Sequence, residues 1–386
     1  MLFRSGAGVL APDDDLRAVA TAVANTLLTA HYGKGTIDDD RSRLWFDAFL
    51  RDLDGQRLYL LATDVEEFSP LKTRLDDDIL APQPSLQAPF DLHARYRQRV
   101  KERIARILQL LDGPLPLDGS LGTVQVDREE APWAATPEDL DTIWRQRLAE
   151  QVLGMALGEE RGDDPIARLR KRYERIGREV DQVDAEDILE RWLGALTRTF
   201  DPHSVWFKPV TRENFDIEMR DTLTGIGAEL GTRDGYVIVN KLIDGGPAQR
   251  GGQLKPKDAI VAVAQGDGPA VDVVEMRLDK VVQLIRGKEG TEVVLTIQPV
   301  DAASPTDTRQ IRIIREKVKL ASSASKGEIR ELPGPAGPIR LGVIDIPSFY
   351  VDTEGQRAGD PNWGSTARDV ATLIAGWAGA IDAVSS

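Results

Sequence analysis

Two glycines that flank one apolar residue form the strongest binding motif in this sequence, TGIGAEL at residues 224–230. With no Cβ at Gly225 or Gly227, consecutive backbone N–H groups can turn toward one point and form a nest for an anion. The carboxylate at the end of a peptide chain fits such a nest. Because short glycine patterns recur by chance, an ordinary glycine turn before a strand is the alternative interpretation.

A strand after this motif and a helix further along the chain complete the predicted site. The strand would leave one edge free, so that a peptide tail can add to the sheet. Apolar residues at helical spacing predict a helix over residues 273–286, with Gly287 capping its end. One face of this helix would receive the last side chain of the tail. The predicted peptide-binding residues are Gly225, Ile226, Gly227, Ala228, Leu230, Leu278, Val282 and Ile285.

Two other patterns contain residue types that catalyse hydrolysis, but neither predicts an active site. Asp201, His203 and Ser204 are the three residue types of a catalytic triad. Neighbours in sequence cannot converge in the geometry of nucleophile, base and orienting acid, so a helix stop and a turn are predicted instead. Ser323 and Lys326 match the Ser-x-x-Lys pattern of penicillin-binding enzymes, but they lie in a loop-like stretch without the partner motifs of that chemistry. We therefore predict no catalytic residue in this chain.

Composition disfavours metal and cofactor sites. The chain has no cysteine, which excludes disulfides, thiolate nucleophiles, iron–sulfur clusters and Cys-ligated zinc. Its three histidines are scattered, at His31, His93 and His203. The acidic triples at residues 13–15, 38–40 and 76–78 lack the spacing and the glycine of a calcium loop, so helix caps and solvated faces are predicted there. No metal and no cofactor are expected.

Charge and hydropathy restrict the class of protein further. The 49 basic and 63 acidic residues give a net charge of −14, which disfavours a surface that grips nucleic-acid phosphates. Basic residues cluster at 95–106 and 168–175, but acidic neighbours at helical spacing predict solvated faces there. No apolar run approaches the ~20 residues of a membrane-spanning helix. Residues 1–12 are too short and too rich in glycine for a signal peptide, so either the protein is cytoplasmic or its leader is missing.

The elements that must position the peptide site fall into three regions. With 386 residues, of which 41% are apolar, the chain has material for two or three domains. Helical stripes run through residues 13–200, and short β-rich runs with one clear helix follow. A loose stretch rich in Ser, Gly and Pro, residues 321–338, precedes a strand over 339–346 and a helix over 366–384. The predicted fold is multidomain, with an all-α domain over 1–205, an α+β domain over 206–318, and a linker with the start of an incomplete domain over 319–386.

Several stretches, in a fixed order, resemble a known family. The glycine motif is followed by Gly245-Gly246-Pro247-Ala248, by Gly251-Gly252 and by Leu284-Ile285-Arg286-Gly287, an order that resembles the PDZ module of bacterial proteases. The Asp201-Pro202-His203-Ser204 stretch before this module resembles the tail-specific, or C-terminal processing, serine proteases. The resemblance extends nearly from end to end, through Ala131-Pro132-Trp133, Arg170-Lys171-Arg172-Tyr173 and Ile344-Asp345-Ile346-Pro347-Ser348-Phe349-Tyr350.

This resemblance implies a periplasmic endopeptidase that recognises nonpolar carboxy-terminal tails of substrate proteins through its PDZ domain and cleaves them with a Ser/Lys dyad. In that family the nucleophile and the base lie beyond the strand and helix at residues 339–346 and 366–384, so no position in this sequence inherits either role. We therefore expect residues 319–386 to begin an incomplete α/β protease domain, and the chain to be inactive alone. A lipoprotein adaptor is a candidate partner, whereas nucleic acid is not. The alternative hypothesis is a non-catalytic PDZ adaptor that captures peptide carboxy termini.

Overall fold

The protein divides into two compact units, a helical one over Met1–Lys208 and one that contains the sheets over Pro209–Ser386. The computed structural model describes residues 10–157, 164–220, 222–304, 306–319, 325–334, 337–359, 361 and 363–385. Across these ranges, no helix has both the length and the apolar content that crossing a membrane requires.

The described part of the first unit contains eight α-helices. They are α1 (Asp14–Thr29), α2 (Asp39–Asp54), α3 (Ala62–Phe68), α4 (Leu75–Leu80), α5 (Gln87–Asp112), α6 (Pro137–Leu157), α7 (Pro165–Asp181) and α8 (Ala185–Arg198). Aspartates start several of them, because the side chains of Asp13, Asp38 and Asp184 each accept a backbone N–H of the first turn. The predicted helical nature of this region, and helix caps at two of the acidic triples, are therefore confirmed.

Two apolar cores hold these helices together. In the first, the ring centroids of Trp45 and Trp192 lie 4.3 Å apart, and the Trp45 indole N–H donates to Trp192 O at 2.8 Å. In the second, Trp144 lies among residues of α5, α6 and α7, and its indole N–H donates to Leu58 O at 2.8 Å. Both indoles are buried, so these hydrogen bonds spare each N–H the cost of losing water without a partner.

His93 on α5 makes the stability of the helical unit depend on pH. The residue is 3% exposed, and its Nε2 has no hydrogen-bond partner among the described residues. Burial, followed by the positive charges of Arg191 and Arg97, lowers the pKa of His93 to about 4. The unfolded chain, with an ordinary pKa near 6.5, therefore binds a proton between pH 6.5 and pH 4 that the folded chain does not bind. We expect this one group to lower the free energy of unfolding by about 3 kcal/mol as the pH falls through that range.

Urea unfolding followed by far-UV circular dichroism, at pH 7 and at pH 4.5, measures this loss. His93→Leu should remove about 2 kcal/mol of the difference between the two pH values. His203→Leu is the matched control and should leave the difference unchanged, because the His203 side chain is 91% exposed. The same pH dependence in the wild type and in His93→Leu would contradict a neutral, buried His93.

In its described residues, the second unit begins with a helix and continues with three sheets. Its elements are α9 (Pro209–Arg220), β1 (Thr222–Gly225), β2 (Ala228–Arg233), β3 (Tyr236–Leu242), α10 (Pro247–Gly251), β4 (Ala259–Gln265), β5 (Val271–Asp272), α11 (Leu278–Ile285), β6 (Glu292–Gln298), β7 (Arg309–Ile314), β8 (Glu316–Lys319), β9 (Lys326–Leu332), β10 (Ile339–Asp345), α12 (Thr353–Ala358), α13 (Thr366–Gly376) and β11 (Ala383–Ser385). The largest sheet has the order β2-β3-β4-β6-β7, with β5 on β4, and every pair in it is antiparallel. A two-stranded sheet joins β1 to β8, and a three-stranded sheet has the order β11-β10-β9.

The largest sheet and α11 share one apolar core. Aliphatic residues of the strands, such as Val237, Ile260 and Val293, are fully buried in it. Val281 and Ile285 bring one face of α11 into the same core. This packing places α11 beside β2, which is the arrangement that the predicted peptide site needs.

The helix predicted over residues 273–286 is shorter at both ends, so that prediction was wrong in its bounds. It begins at Leu278, because the residues before it make other bonds: the Asp272 side chain accepts the Val274 N–H, and Glu275 has a φ of 60° and donates its N–H to Gly235 O. Its C-cap is Arg286 in an extended conformation, and Gly287 does not adopt the left-handed conformation of a capping glycine.

Two predictions for the last part of the chain are also corrected. The stretch 321–338 was predicted to be loose, yet Lys326–Leu332 forms β9, because it pairs along its whole length with β10. The helix predicted over 366–384 ends at Gly376, and Gly379 then takes a φ of 76°, which an α-helix cannot accommodate. The chain after it forms β11, which pairs in parallel with β10. Both differences arise from long-range strand pairing that local composition does not reveal.

Candidate peptide-binding site

The predicted anion-binding loop lies between β1 and β2. Gly227 has a φ of 72°, in the left-handed region that favours glycine, as the motif predicts. Gly225 does not have a positive φ. Its lack of a side chain matters for another reason, because a Cβ there would lie 2.9 Å from the Leu223 side chain.

The carbonyl groups of this loop are already bonded, whereas two of its N–H groups are not. Ile226 O accepts the Ala248 N–H and Gly227 O accepts the Ile243 N–H, each at 2.9 Å. These bonds hold the loop against the turn that starts α10. Within the described parts of the chain, the N–H groups of Ile226 and Gly227 have no hydrogen-bond acceptor. Two neighbouring unpaired donors match the predicted nest for an anion.

The edge of β2 is free among the described strands. In the order β2-β3-β4-β6-β7, β2 is terminal and pairs only with β3. An edge strand presents unpaired N–H and C=O groups to which an extended peptide can add. The predicted free edge is therefore confirmed, and α11 contacts β2.

The apolar residues predicted for the site divide into two groups. Ile226 and Ile285 are each 3% exposed and belong to the core, so they support the loop and the helix from below. The others are half-buried and lie on the two elements of the predicted site. These are Ala228 and Leu230 on β2, and Leu278 and Val282 on α11.

Two residues that were not predicted from the sequence, Arg315 and Gln265, hold the end of α11. The Arg315 guanidinium donates from Nε to Ile285 O at 2.8 Å, and Gln265 Nε2 donates to Leu284 O at 2.6 Å. Arg315 is 2% exposed. Because it lies alone between β7 and β8, no local pattern points to it. The only sequence signal is Gly287, where a Cβ would lie 2.9 Å from the Arg315 Cζ.

The residues of the triad-like pattern form a turn, as predicted. Ser204 donates its N–H to Asp201 O, and His203 contacts Asp201 Oδ1 through its own N–H and its ring. Ser204 Oγ instead lies 2.9 Å from His31 Nε2, a contact across 173 residues that the sequence did not indicate. His31 Nδ1 accepts the Gly33 N–H, so in the neutral ring Nε2 carries the proton and donates it to Ser204. His31 is thus unsuited to act as a base toward Ser204.

The remaining candidates are the Ser-x-x-Lys pattern and the residue types that bind metals. Ser323 lies outside the described residues, and Lys326 begins β9. The described residues contain no cluster of three or more His, Asp or Glu side chains that could hold a metal ion.

Comparison with known proteins places both units in one family. The family model described as the tail-specific protease N-terminal domain matches residues 23–210, and the PDZ domain model matches residues 215–298. A tail-specific protease of Haemophilus influenzae is 34% identical over 335 residues, which are 86% of this chain and 47% of that protein. The carboxy-terminal processing protease CtpB of Bacillus subtilis is 34% identical over 149 residues, which are 38% of this chain and 30% of that protein.

A solved structure is similar in the PDZ region. It is the PDZ domain of the carboxy-terminal protease from Vibrio cholerae in complex with peptide, 41% identical, with a TM-score of 0.25, covering 26% of this chain and 99% of that chain. The chain spans about half the length of the Haemophilus influenzae protein, 47%. It belongs to the tail-specific protease family and carries the helical N-terminal domain of that family followed by a PDZ domain.

Proposed function

We propose that this chain recognises the nonpolar carboxy-terminal tails of substrate proteins for a tail-specific serine endopeptidase. The observation that carries the proposal is the pair of unpaired N–H groups, at Ile226 and Gly227, at one end of a free strand edge. Cleavage by a Ser/Lys dyad, a periplasmic location and a lipoprotein adaptor are proposed for the protein as a whole, on the family resemblance alone. The proteolytic relatives favour this function over that of a non-catalytic adaptor.

In the proposed binding geometry, each part of the site contacts a different part of the tail. The terminal carboxylate accepts the N–H groups of Ile226 and Gly227, and the preceding residues of the tail pair with the edge of β2. The last side chain enters the apolar region beside Leu278 and Val282 on α11. Burial of this side chain favours nonpolar ends, since a charged group there would lose its hydration.

Fluorescence polarisation with a labelled ten-residue peptide ending in valine tests the proposal. The peptide with a free carboxylate should bind, and the same peptide with an amidated end should bind ~100-fold more weakly, because hydrogen bonds to a charged acceptor contribute about 1.5–3 kcal/mol. A peptide ending in aspartate is the specificity control and should also bind weakly. Equal affinity for the free and the amidated ends would refute recognition of the carboxylate.

A further inference from the structure

We propose that Arg315 is a positioning residue that sets the distance between α11 and the carboxylate loop, residues 225–228, and thereby selects which terminal side chain the groove accepts. This inference rests on the proposed recognition of tails. Arg315 is the single residue between β7 and β8, where the chain leaves the largest sheet to pair with β1. It therefore lies where the two sides of the proposed binding groove come together. These two sides are α11, called the helix wall below, and the carboxylate loop, called the loop wall.

The side chain of Arg315 holds the helix wall. Its Nε donates to Ile285 O at 2.8 Å, and its Nη2 contacts Leu284 O at 3.3 Å. These carbonyls belong to the last turn of α11, where helices leave C=O groups unpaired and where a positive charge interacts favourably with the helix dipole. Gly287, immediately beyond, leaves the space in which the guanidinium lies, since a Cβ there would be 2.9 Å from Cζ.

The rest of the guanidinium is anchored to the sheet. Nη1 donates to Thr291 Oγ1 at 2.9 Å and contacts Glu292 O at 3.3 Å, and Nη2 donates to Gln265 Oε1 at 2.6 Å. Gln265 Nε2 reaches back to Leu284 O at 2.6 Å. The planar fork of arginine thus joins the end of α11 to β4 and to the start of β6, a set of contacts that the ammonium of lysine cannot reproduce.

The backbone beside Arg315 holds the loop wall. The next residue, Glu316, pairs with Gly225, which is the first residue of the carboxylate loop. Because the same short segment is bonded to the loop by its backbone and to α11 by its side chain, the spacing of the two walls depends on Arg315.

Loss of the guanidinium contacts of Arg315 should therefore change the selectivity for the terminal side chain of the peptide, and not only the affinity. In Arg315→Lys the last turn of α11 loses its rigid contacts, so the groove should widen at the terminal side chain. A peptide ending in alanine then loses contact with α11, whereas one ending in phenylalanine fills the added space. We expect the alanine peptide to bind at least ~10-fold more weakly and the phenylalanine peptide to change less than ~3-fold, so that the ratio of their affinities shifts by more than ~3-fold.

The test uses the full chain and compares the two peptides by fluorescence polarisation. Arg312→Lys is the matched control, because Arg312 lies on β7, shortly before Arg315 in the chain, with its side chain 54% exposed and paired with Asp267 and Glu292. Gln265→Ala, at an exposed residue, is a second variant in case Arg315→Lys does not fold. It should shift the ratio of the affinities for the two peptides in the same direction by ~3-fold. Hydrogen exchange gives a readout without peptide, since the Arg286 N–H, bonded to Val282 O, should exchange faster in both variants.

Two results would overturn the inference while leaving tail recognition intact. The first is an unchanged alanine-to-phenylalanine ratio in the folded variants at Arg315 and Gln265. The second is an equal shift of this ratio in Arg312→Lys. Failure of the proposed function is distinguishable from both, because the wild type itself would then bind free and amidated ends equally; that outcome would remove the inference as well.

Discussion

Replacing Gly227 with valine should abolish tail binding, with a loss of at least ~100-fold in affinity. The φ of 72° at this position is one that a β-branched residue rarely adopts. A Cβ would also lie 3.0 Å from the Gly246 Cα and 3.2 Å from the Pro247 ring, so the loop would have to move away from the turn that supports it. That movement displaces the N–H groups of Ile226 and Gly227 that are proposed to bind the carboxylate. Fluorescence polarisation with the valine-ended peptide measures the loss.

Gly245→Ala is the matched control for this prediction. Gly245 has the same φ of 72°, but a Cβ there would have nothing within 4 Å. It therefore carries the backbone strain without the steric conflict, and it should cost about 1 kcal/mol of stability while tail binding is preserved. Far-UV circular dichroism should show that the helices remain folded in both variants. If Gly227→Val bound the peptide as tightly as Gly245→Ala does, the carboxylate loop would be wrongly assigned.

Asp54→Ala should destabilise the helical unit by about 3–5 kcal/mol, the largest effect on stability that we expect from one substitution. The Asp54 carboxylate is 4% exposed and accepts the N–H groups of Leu58, Tyr59 and Leu60 at 2.8, 2.9 and 2.8 Å. It thereby closes the turn after α2. Removal of the carboxylate leaves three backbone donors without an acceptor, in a place that water reaches poorly. Urea unfolding at pH 7, followed by far-UV circular dichroism, measures the change.

Two further variants separate the lost hydrogen bonds from a general effect of removing an acid. Asp39→Ala, on the same helix, removes an exposed carboxylate whose ion pair with Arg43 spans 3.9 Å, and it should change stability by less than ~0.5 kcal/mol. Asp54→Asn keeps the shape but only one acceptor oxygen, so it should fall between the alanine variant and the wild type. Similar stabilities for Asp54→Ala and Asp39→Ala would show that the turn does not depend on Asp54.

The sequence predicted those parts of the fold that depend on neighbours along the chain. Helix starts at Asp13 and Asp38 follow from a side chain that reaches an N–H three residues away. The left-handed Gly227 follows from a turn that only glycine enters easily. In each case the determining interaction spans only a few residues.

The predictions were wrong where the backbone forms hydrogen bonds with residues that are distant in sequence. The start of α11 moved to Leu278 because Glu275 bonds to Gly235 on another turn, and the stretch 321–338 contains β9 because β10 pairs with it. The contact of His31 with Ser204 likewise joins residues that no spacing rule connects. Periodicity indicates which face of an element is apolar. It does not indicate which distant residue a backbone N–H or C=O group will bond to.

The sequence by itself predicted the proposed nest for a carboxylate, because the donors of this nest are backbone N–H groups whose orientation depends on glycine and on local φ angles. Only the tertiary structure decided how far the helix wall stands from that nest. That distance depends on Arg315, which receives its role from acceptors on α11, β4 and β6 that are brought together by folding. Local chemistry can therefore be predicted from residue types, whereas the shape of the groove is a property of long-range packing.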